Sequence, residues 1–143
     1  MNEAIYLILQ WTWGIFQNMM GLCVWAFLMI RNPKRKRGRF ENAIVTSWSN
    51  SYSTGLGMFI FYGHGKAKDA KEILVHEYGH TIQSCILGPL FIPVIGIPST
   101  VWAFFPPFVK MRKEKKHKYC DFYPEKWANY LGSKVTGLKA PDR

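Results

Sequence analysis

Residues 69–87 read DAKEILVHEYGHTIQSCIL and contain two histidines, His76 and His80, four positions apart. Asp69 has an acidic residue three positions on, which is the form of a capping box, so we predict a helix over residues 70–87. Side chains four positions apart on a helix project from the same side. Both imidazoles can therefore bind one metal ion.

Glu77 directly follows the first histidine, in the position where a carboxylate accepts a proton from a metal-bound water. A zinc ion lowers the pKa of that water towards neutrality and polarises a peptide carbonyl, and the glutamate passes the proton to the leaving amine. The string favours zinc-dependent peptide hydrolysis with one zinc ion and Glu77 as the catalytic base. Gly79, inside the string, permits close packing against this helix.

A catalytic zinc ion takes three protein ligands and keeps one position open for water. We favour Glu125 as the third ligand, because Asn129 lies one turn further on in a helix predicted over residues 123–132. From there the amide can hydrogen-bond to a metal-binding histidine. Asp121 is the alternative ligand. The other candidates are less suited by position: His64, His117 and Cys120.

Residues 75–81 (VHEYGHT) and 125–129 (EKWAN) resemble the gluzincin pattern, HExxH followed by E-x-x-A-[D/N]. The pattern is similar to that of integral-membrane gluzincins related to the CAAX prenyl protease. The sequence around it also resembles a group of small bacterial membrane proteins of this length. The distal Asn-Pro and Leu-Asp-Gly segments of site-2 proteases are absent from the sequence. The resemblance implies a zinc site with these residues: His76, His80 and Glu125 as ligands and Glu77 as general base.

Apolar residues concentrate in two stretches, 4–30 and 85–109. The first holds no charged residue and is long enough to cross a hydrocarbon core of roughly 30 Å as one helix. It lacks a basic start and a small-residue cleavage site, so we interpret it as a retained transmembrane helix. The second stretch is interrupted by glycines and prolines, which predicts a re-entrant apolar hairpin over residues 88–109.

The formal net charge of +10 is concentrated in two basic clusters, each beginning where an apolar stretch ends. That position is typical of anchors on the cytoplasmic side of a membrane and of contacts with anionic headgroups. It favours a bilayer rather than nucleic acid as the partner. We therefore expect an integral protein of a bacterial inner membrane with a cytoplasmic active site. The clusters are Arg31, Lys34, Arg35, Lys36, Arg37 and Arg39, and Lys110, Arg112, Lys113, Lys115, Lys116 and Lys118.

Residues 43–63 alternate Thr, Ser, Gly and aromatic side chains and predict a short strand or hairpin. We predict that its most regular part is an edge strand on which a peptide substrate lies extended. Three further side chains are candidates for contact with the substrate or its oxyanion. The edge-strand residues are Met58, Phe59, Ile60 and Phe61, and the contact candidates are His64, Tyr119 and Tyr123.

Together these features predict a single, mainly α membrane domain over residues 1–143 that hydrolyses a peptide or protein substrate at the membrane surface. The three cysteines have no spacing typical of a disulfide framework or a thiolate zinc site. The pocket of so small a chain is expected to be shallow and completed by oligomerisation or by the bilayer. The alternative function is a non-catalytic, zinc-stabilised membrane interaction or immunity protein.

Overall fold

The computed structural model describes residues 1–63, 70–114 and 117–142. In these ranges the chain forms six α-helices and a four-stranded mixed sheet. The hydrophobic core lies where the sheet meets the first three helices. Its central aromatic pair is Tyr6 and Tyr78, which stack with their ring centroids 6.1 Å apart.

The apolar N-terminal stretch forms two helices, α1 (Glu3–Trp11) and α2 (Ile15–Arg31), which meet at an angle of 93°. The predicted single transmembrane helix over residues 4–30 is therefore wrong. Within the described ranges, no individual helix combines the length and the apolar character needed to cross a membrane. On either side of the bend, Gln10 and Gln17 hydrogen-bond to Thr81 and Ser84 of the core.

The sheet contains β1 (Arg37–Phe40), β2 (Ala43–Ser47), β3 (Thr54–Leu56) and β4 (Phe59–Tyr62). Its order is β1-β2-β4-β3, with β2 and β4 parallel and the other pairs antiparallel. The sheet is thus larger than the predicted strand or hairpin, because the basic segment contributes β1.

The predicted edge strand is an inner strand. β4 is hydrogen-bonded to a neighbour on both sides, so its backbone is not available to an added peptide. The edge beside the helix that carries His76 and His80 is β3, whose Gly55 packs against the backbone of Glu77. The residues affected by this correction are Met58, Phe59, Ile60 and Phe61, which are all buried.

The motif helix α3 runs over Ala70–Leu87 and packs along α6 (Tyr123–Thr136). Two glycines allow the helices to approach closely. A Cβ on Gly79 would lie 1.9 Å from the carbonyl oxygen of Ala128, and one on Gly132 would lie 2.1 Å from that of Val75. Both neighbouring atoms belong to backbone, so neither can move aside cheaply.

We expect Gly79→Ala to force α3 and α6 apart, because its methyl group has no space beside Ala128. Overpacking of this kind destabilises a protein by about 1–3 kcal/mol or more, which chemical denaturation measures. Gly96→Ala is the matched control, since a Cβ there meets only one atom, at 3.9 Å. It should be neutral or slightly stabilising. Equal losses in the two variants would contradict the close packing of the helices.

Residues 88–113 are helical almost throughout and do not form the predicted re-entrant hairpin. A 3-10 turn (Gly88–Leu90) leads into a π-helical segment (Ile92–Gly96), α4 (Ile97–Phe104) and α5 (Pro106–Lys113). The prolines lie in the first turns of these segments, where a missing N–H is tolerated. The axis bends by 63° between Phe104 and Pro106.

Candidate metal centre

Three side chains of the predicted site converge in the protein interior. His76 and His80 project from α3, and Glu125 comes from the first turn of α6. Glu125 Oε2 lies 3.0 Å from His76 Nε2 and 3.5 Å from His80 Nε2. The potential ligand atoms of the three residues all lie within 4.8 Å of one another, and all three residues are buried.

Each histidine is oriented by a side-chain amide on its other ring nitrogen. His76 Nδ1 lies 2.7 Å from Asn129 Oδ1, and His80 Nδ1 lies 2.7 Å from Gln83 Oε1. Since an amide oxygen can only accept, each Nδ1 carries the proton. When the rings are neutral, as metal binding requires, each directs the lone pair of Nε2 towards Glu125.

The carboxylate of Glu125 is also oriented by a hydrogen bond to its other oxygen. Ser99, on α4, donates a hydrogen bond to Oε1, which leaves Oε2 to face the two imidazoles. Oε2 is buried, and neither histidine contact has hydrogen-bond geometry. Two nitrogen lone pairs and an anionic oxygen therefore face one point, an arrangement that fits a cation. These three residues can hold a metal ion.

The pKa values of His80 and Glu125 are shifted by the contact between the carboxylate and the imidazoles. Burial lowers the pKa of His80, but the charge and contact of Glu125 outweigh this and raise it to about 9. Burial raises the pKa of the Glu125 carboxyl, but the neighbouring imidazoles of His80 and His76 outweigh it and lower the pKa far below its usual range. In the metal-free chain, a proton on His80 can take the place of the cation.

We expect opposite pH dependences for the metal-free chain and for metal binding. The free energy contributed by protonated His80 is fully present below its ordinary pKa of 6.5 and is lost as the pH rises to about 9. Metal affinity should rise over the same range, since the proton must leave His80 first. Unfolding of the metal-free chain and metal titrations at pH 6, 7, 8 and 9 measure the two effects. Metal affinity that falls with pH would contradict this protonation state.

We expect Asn129→Ala to weaken metal binding by about 10- to 100-fold, the usual effect of removing a partner that orients a ligand. The histidine would lose the acceptor at Nδ1 that fixes its tautomer. Competition with a chromogenic chelator measures the affinity. Ser133→Ala, one turn along α6, is the matched control and should bind metal as the wild type does. An unchanged affinity in Asn129→Ala would show that its amide does not orient His76.

Glu77 is buried on α3 beside the cluster but is not one of its three ligands. Among the described residues, none donates a hydrogen bond to its carboxylate. Its side chain lines a cavity of about 310 Å³ that also opens onto the two histidines and Glu125. The cavity is otherwise mostly apolar and is bordered by β3 and the loop before it, by the π-helical segment with the residue before it, and by α4. Its apolar and aromatic lining residues are Trp48, Tyr52, Leu56, Phe91, Ile95, Ala103 and Phe104.

The remaining predicted residues lie in different places. Tyr119 lines the cavity, whereas half-exposed Tyr123 donates its hydroxyl to the carbonyl oxygen of Val94, 2.5 Å away, and does not line it. Asp121 is exposed and accepts a hydrogen bond from the backbone of Lys118, so it does not join the cluster. His64 lies outside the described residues. Two former ligand candidates are also outside the cluster: exposed His117 and buried Cys120.

Sequence reasoning missed three contributions to the site. Gln83 was detectable, because it lies three positions after His80 on the same helix face. Ser99 carries no local signal, since its contact with Glu125 depends on how α4 packs on α6. The edge strand β3 is only three residues long and contains a glycine, so it has little strand character in the sequence.

Comparisons of the chain with protein-family models, with curated proteins and with solved structures found no match.

Proposed function

We propose that the protein is a zinc-dependent peptidase. The proposal rests chiefly on one observation, the buried convergence of His76, His80 and Glu125 beside a glutamate that is not a ligand. Two imidazoles and one carboxylate form a donor set that suits zinc, and three protein ligands leave a fourth position for water. That position would lie on the side of the cavity, because the cavity is lined by all three ligands and by Glu77.

When bound, the zinc ion would supply an acidified water and a positive charge for the substrate carbonyl. Glu77 would accept a proton from the attacking water and deliver it to the nitrogen of the leaving amine. Ser99, Asn129 and Gln83 keep the ligands in place, so that they need not reorganise during the reaction.

The rest of the cavity would bind the substrate. The edge strand β3 lines the cavity and would offer backbone N–H and C=O groups to an extended peptide. Apolar side chains such as Phe91, Ile95 and Phe104 suit an apolar residue next to the scissile bond. Tyr119 lines the same cavity and is the remaining candidate for a hydrogen bond to the oxyanion.

The test uses the full chain, stripped of metal with a chelator and reloaded with one equivalent of zinc. It is incubated with a peptide library, and new termini are identified by mass spectrometry. We expect cleavage by the reloaded chain, with an apolar residue beside the scissile bond, and none by the stripped chain. A folded, zinc-loaded chain that cleaves no more than the stripped chain would instead favour the non-catalytic role, in which the metal only ties α3 to α6.

A further inference from the structure

The first two helices bury polar side chains and expose apolar ones. Gln10, Gln17 and Asn18 are fully buried, and each hydrogen-bonds to the core. The outer sides of α1 and α2 carry large apolar side chains that are 41–81% exposed. A helix at a water-facing surface has the opposite pattern. The exposed residues are Ile5, Ile8, Trp11, Phe16, Met19, Met20, Phe27 and Ile30.

A second apolar row runs from the end of the 3-10 turn along the π-helical segment and α4. Its members recur at intervals of three and four residues, so they share one side of the helical axis. They are 38–57% exposed, whereas Phe91, Ile95 and Trp102 on the opposite side are buried. The row consists of Leu90, Val94, Ile97, Val101 and Phe104.

The two rows adjoin at the bend between α1 and α2. Trp13 at that bend donates a hydrogen bond to the carbonyl oxygen of Ile86, and its ring packs against Gly88. Gln17 donates to the carbonyl oxygen of Gly88. Exposed Trp13 and Ile86 thus connect the outer side of α2 to Leu90. We call the combined surface, the two rows with Trp13 and Ile86, the outer apolar face.

Exposed basic residues follow both parts of the outer apolar face. Arg31 ends α2 and is followed by Lys34 and Lys36, and Lys110 and Lys113 lie on α5 after α4. The sequence contains no acidic residue from 4 to 40 or from 78 to 113. The partner of this surface should therefore be apolar with an anionic border.

We propose that the outer apolar face docks on a lipid bilayer that carries anionic headgroups. Apolar side chains would enter the acyl boundary, tryptophans such as Trp11 and Trp13 would lie at headgroup level, and the basic residues would contact the anionic lipids. A second copy of the chain fits less well, because it would bring its own basic clusters towards the same surface.

Docking would also position the candidate active site. Phe104 belongs both to the outer apolar face and to the lining of the cavity. The cavity would then lie beside the bilayer, where polypeptides bound to lipid are concentrated. This consequence rests on the proposed peptidase function, whereas the docking itself does not.

The experiment is flotation of the purified full chain with phosphatidylcholine vesicles, with and without phosphatidylglycerol. We expect the chain to float with the anionic vesicles and to bind the neutral ones more weakly. Phe16→Glu/Ile30→Glu should lower binding by about 100-fold, since each change removes a large apolar side chain that would enter the bilayer on docking. Lys34→Glu/Lys36→Glu should lower binding to anionic vesicles by roughly 30-fold, with less effect on neutral ones. Tyr130→Glu, an exposed aromatic residue on α6, is the matched control and should bind as the wild type does.

Three results would overturn the docking. The chain could stay in the bottom fraction with both kinds of vesicle. Phe16→Glu/Ile30→Glu could leave vesicle binding intact, which would show that the chain binds vesicles through its charge alone. Sedimentation without lipid could instead show an oligomer that this variant dissociates, making the face an interface between copies. Flotation is repeated with Glu125→Gln, so that the result does not depend on metal binding or turnover.

Discussion

Glu77→Gln should leave zinc bound and lower the rate of peptide hydrolysis by about 100- to 10,000-fold, the usual contribution of a general base. Glutamine keeps the shape of the side chain but cannot accept the proton of the metal-bound water. The three ligands are other residues, so the metal site itself is unchanged. Zinc content and the rate of cleavage of one identified peptide are measured on the same sample.

Glu72→Gln is the matched control, because Glu72 lies on the same helix but its carboxylate is 3.8 Å from Lys139, away from the cluster. It should retain both zinc and activity. Wild-type turnover in Glu77→Gln would contradict the peptidase mechanism. Loss of zinc from Glu77→Gln would instead show that Glu77 acts as a ligand.

Glu125→Gln should weaken zinc binding by roughly 1,000-fold or more, since apparent zinc binding in structural sites amounts to about 10–16 kcal/mol in total and one of the three protein ligands would be lost. The amide can still accept the hydrogen bond of Ser99, so the packing of the side chain is preserved. Isothermal titration of the metal-free chain measures the affinity, and activity should disappear with the metal.

Asp121→Asn is the control for Glu125→Gln. Asp121 is the other carboxylate considered as a ligand, but its side chain is exposed and caps the backbone at Lys118. This variant should bind zinc normally. Loss of zinc in Asp121→Asn, with retention in Glu125→Gln, would overturn the choice of the third ligand.

The cluster of potential metal ligands was largely predictable because its signals are local. His76 and His80 share a helix face, and Glu125 and Asn129 are one turn apart on a second helix. In the structure, that amide accepts from His76 as the sequence suggested. What the sequence could not provide was the distance between the two helices. That distance depends on Gly79 and Gly132, whose missing side chains matter only once the partner helix is in place.

The prediction for the N-terminal stretch was wrong because mean hydropathy reports how apolar a segment is and not whether its helix axis bends. Residues 4–30 are uncharged, but Gln10, Gln17 and Asn18 each bond to a segment far along the chain. These long-range hydrogen bonds hold α1 and α2 against the core on either side of the bend, and they leave no signal in the local sequence. The sheet was underestimated because the basic segment contributes β1, and because β2 pairs in parallel with β4 although β3 lies between them in the sequence.

The most direct test of the metal centre is anomalous diffraction at the zinc edge from crystals of the zinc-loaded chain. We predict one peak within about 2.0–2.2 Å of His76 Nε2, His80 Nε2 and Glu125 Oε2, with a fourth ligand position facing the cavity and Glu77. A peak at any other set of side chains, or no peak between α3 and α6, would contradict the account.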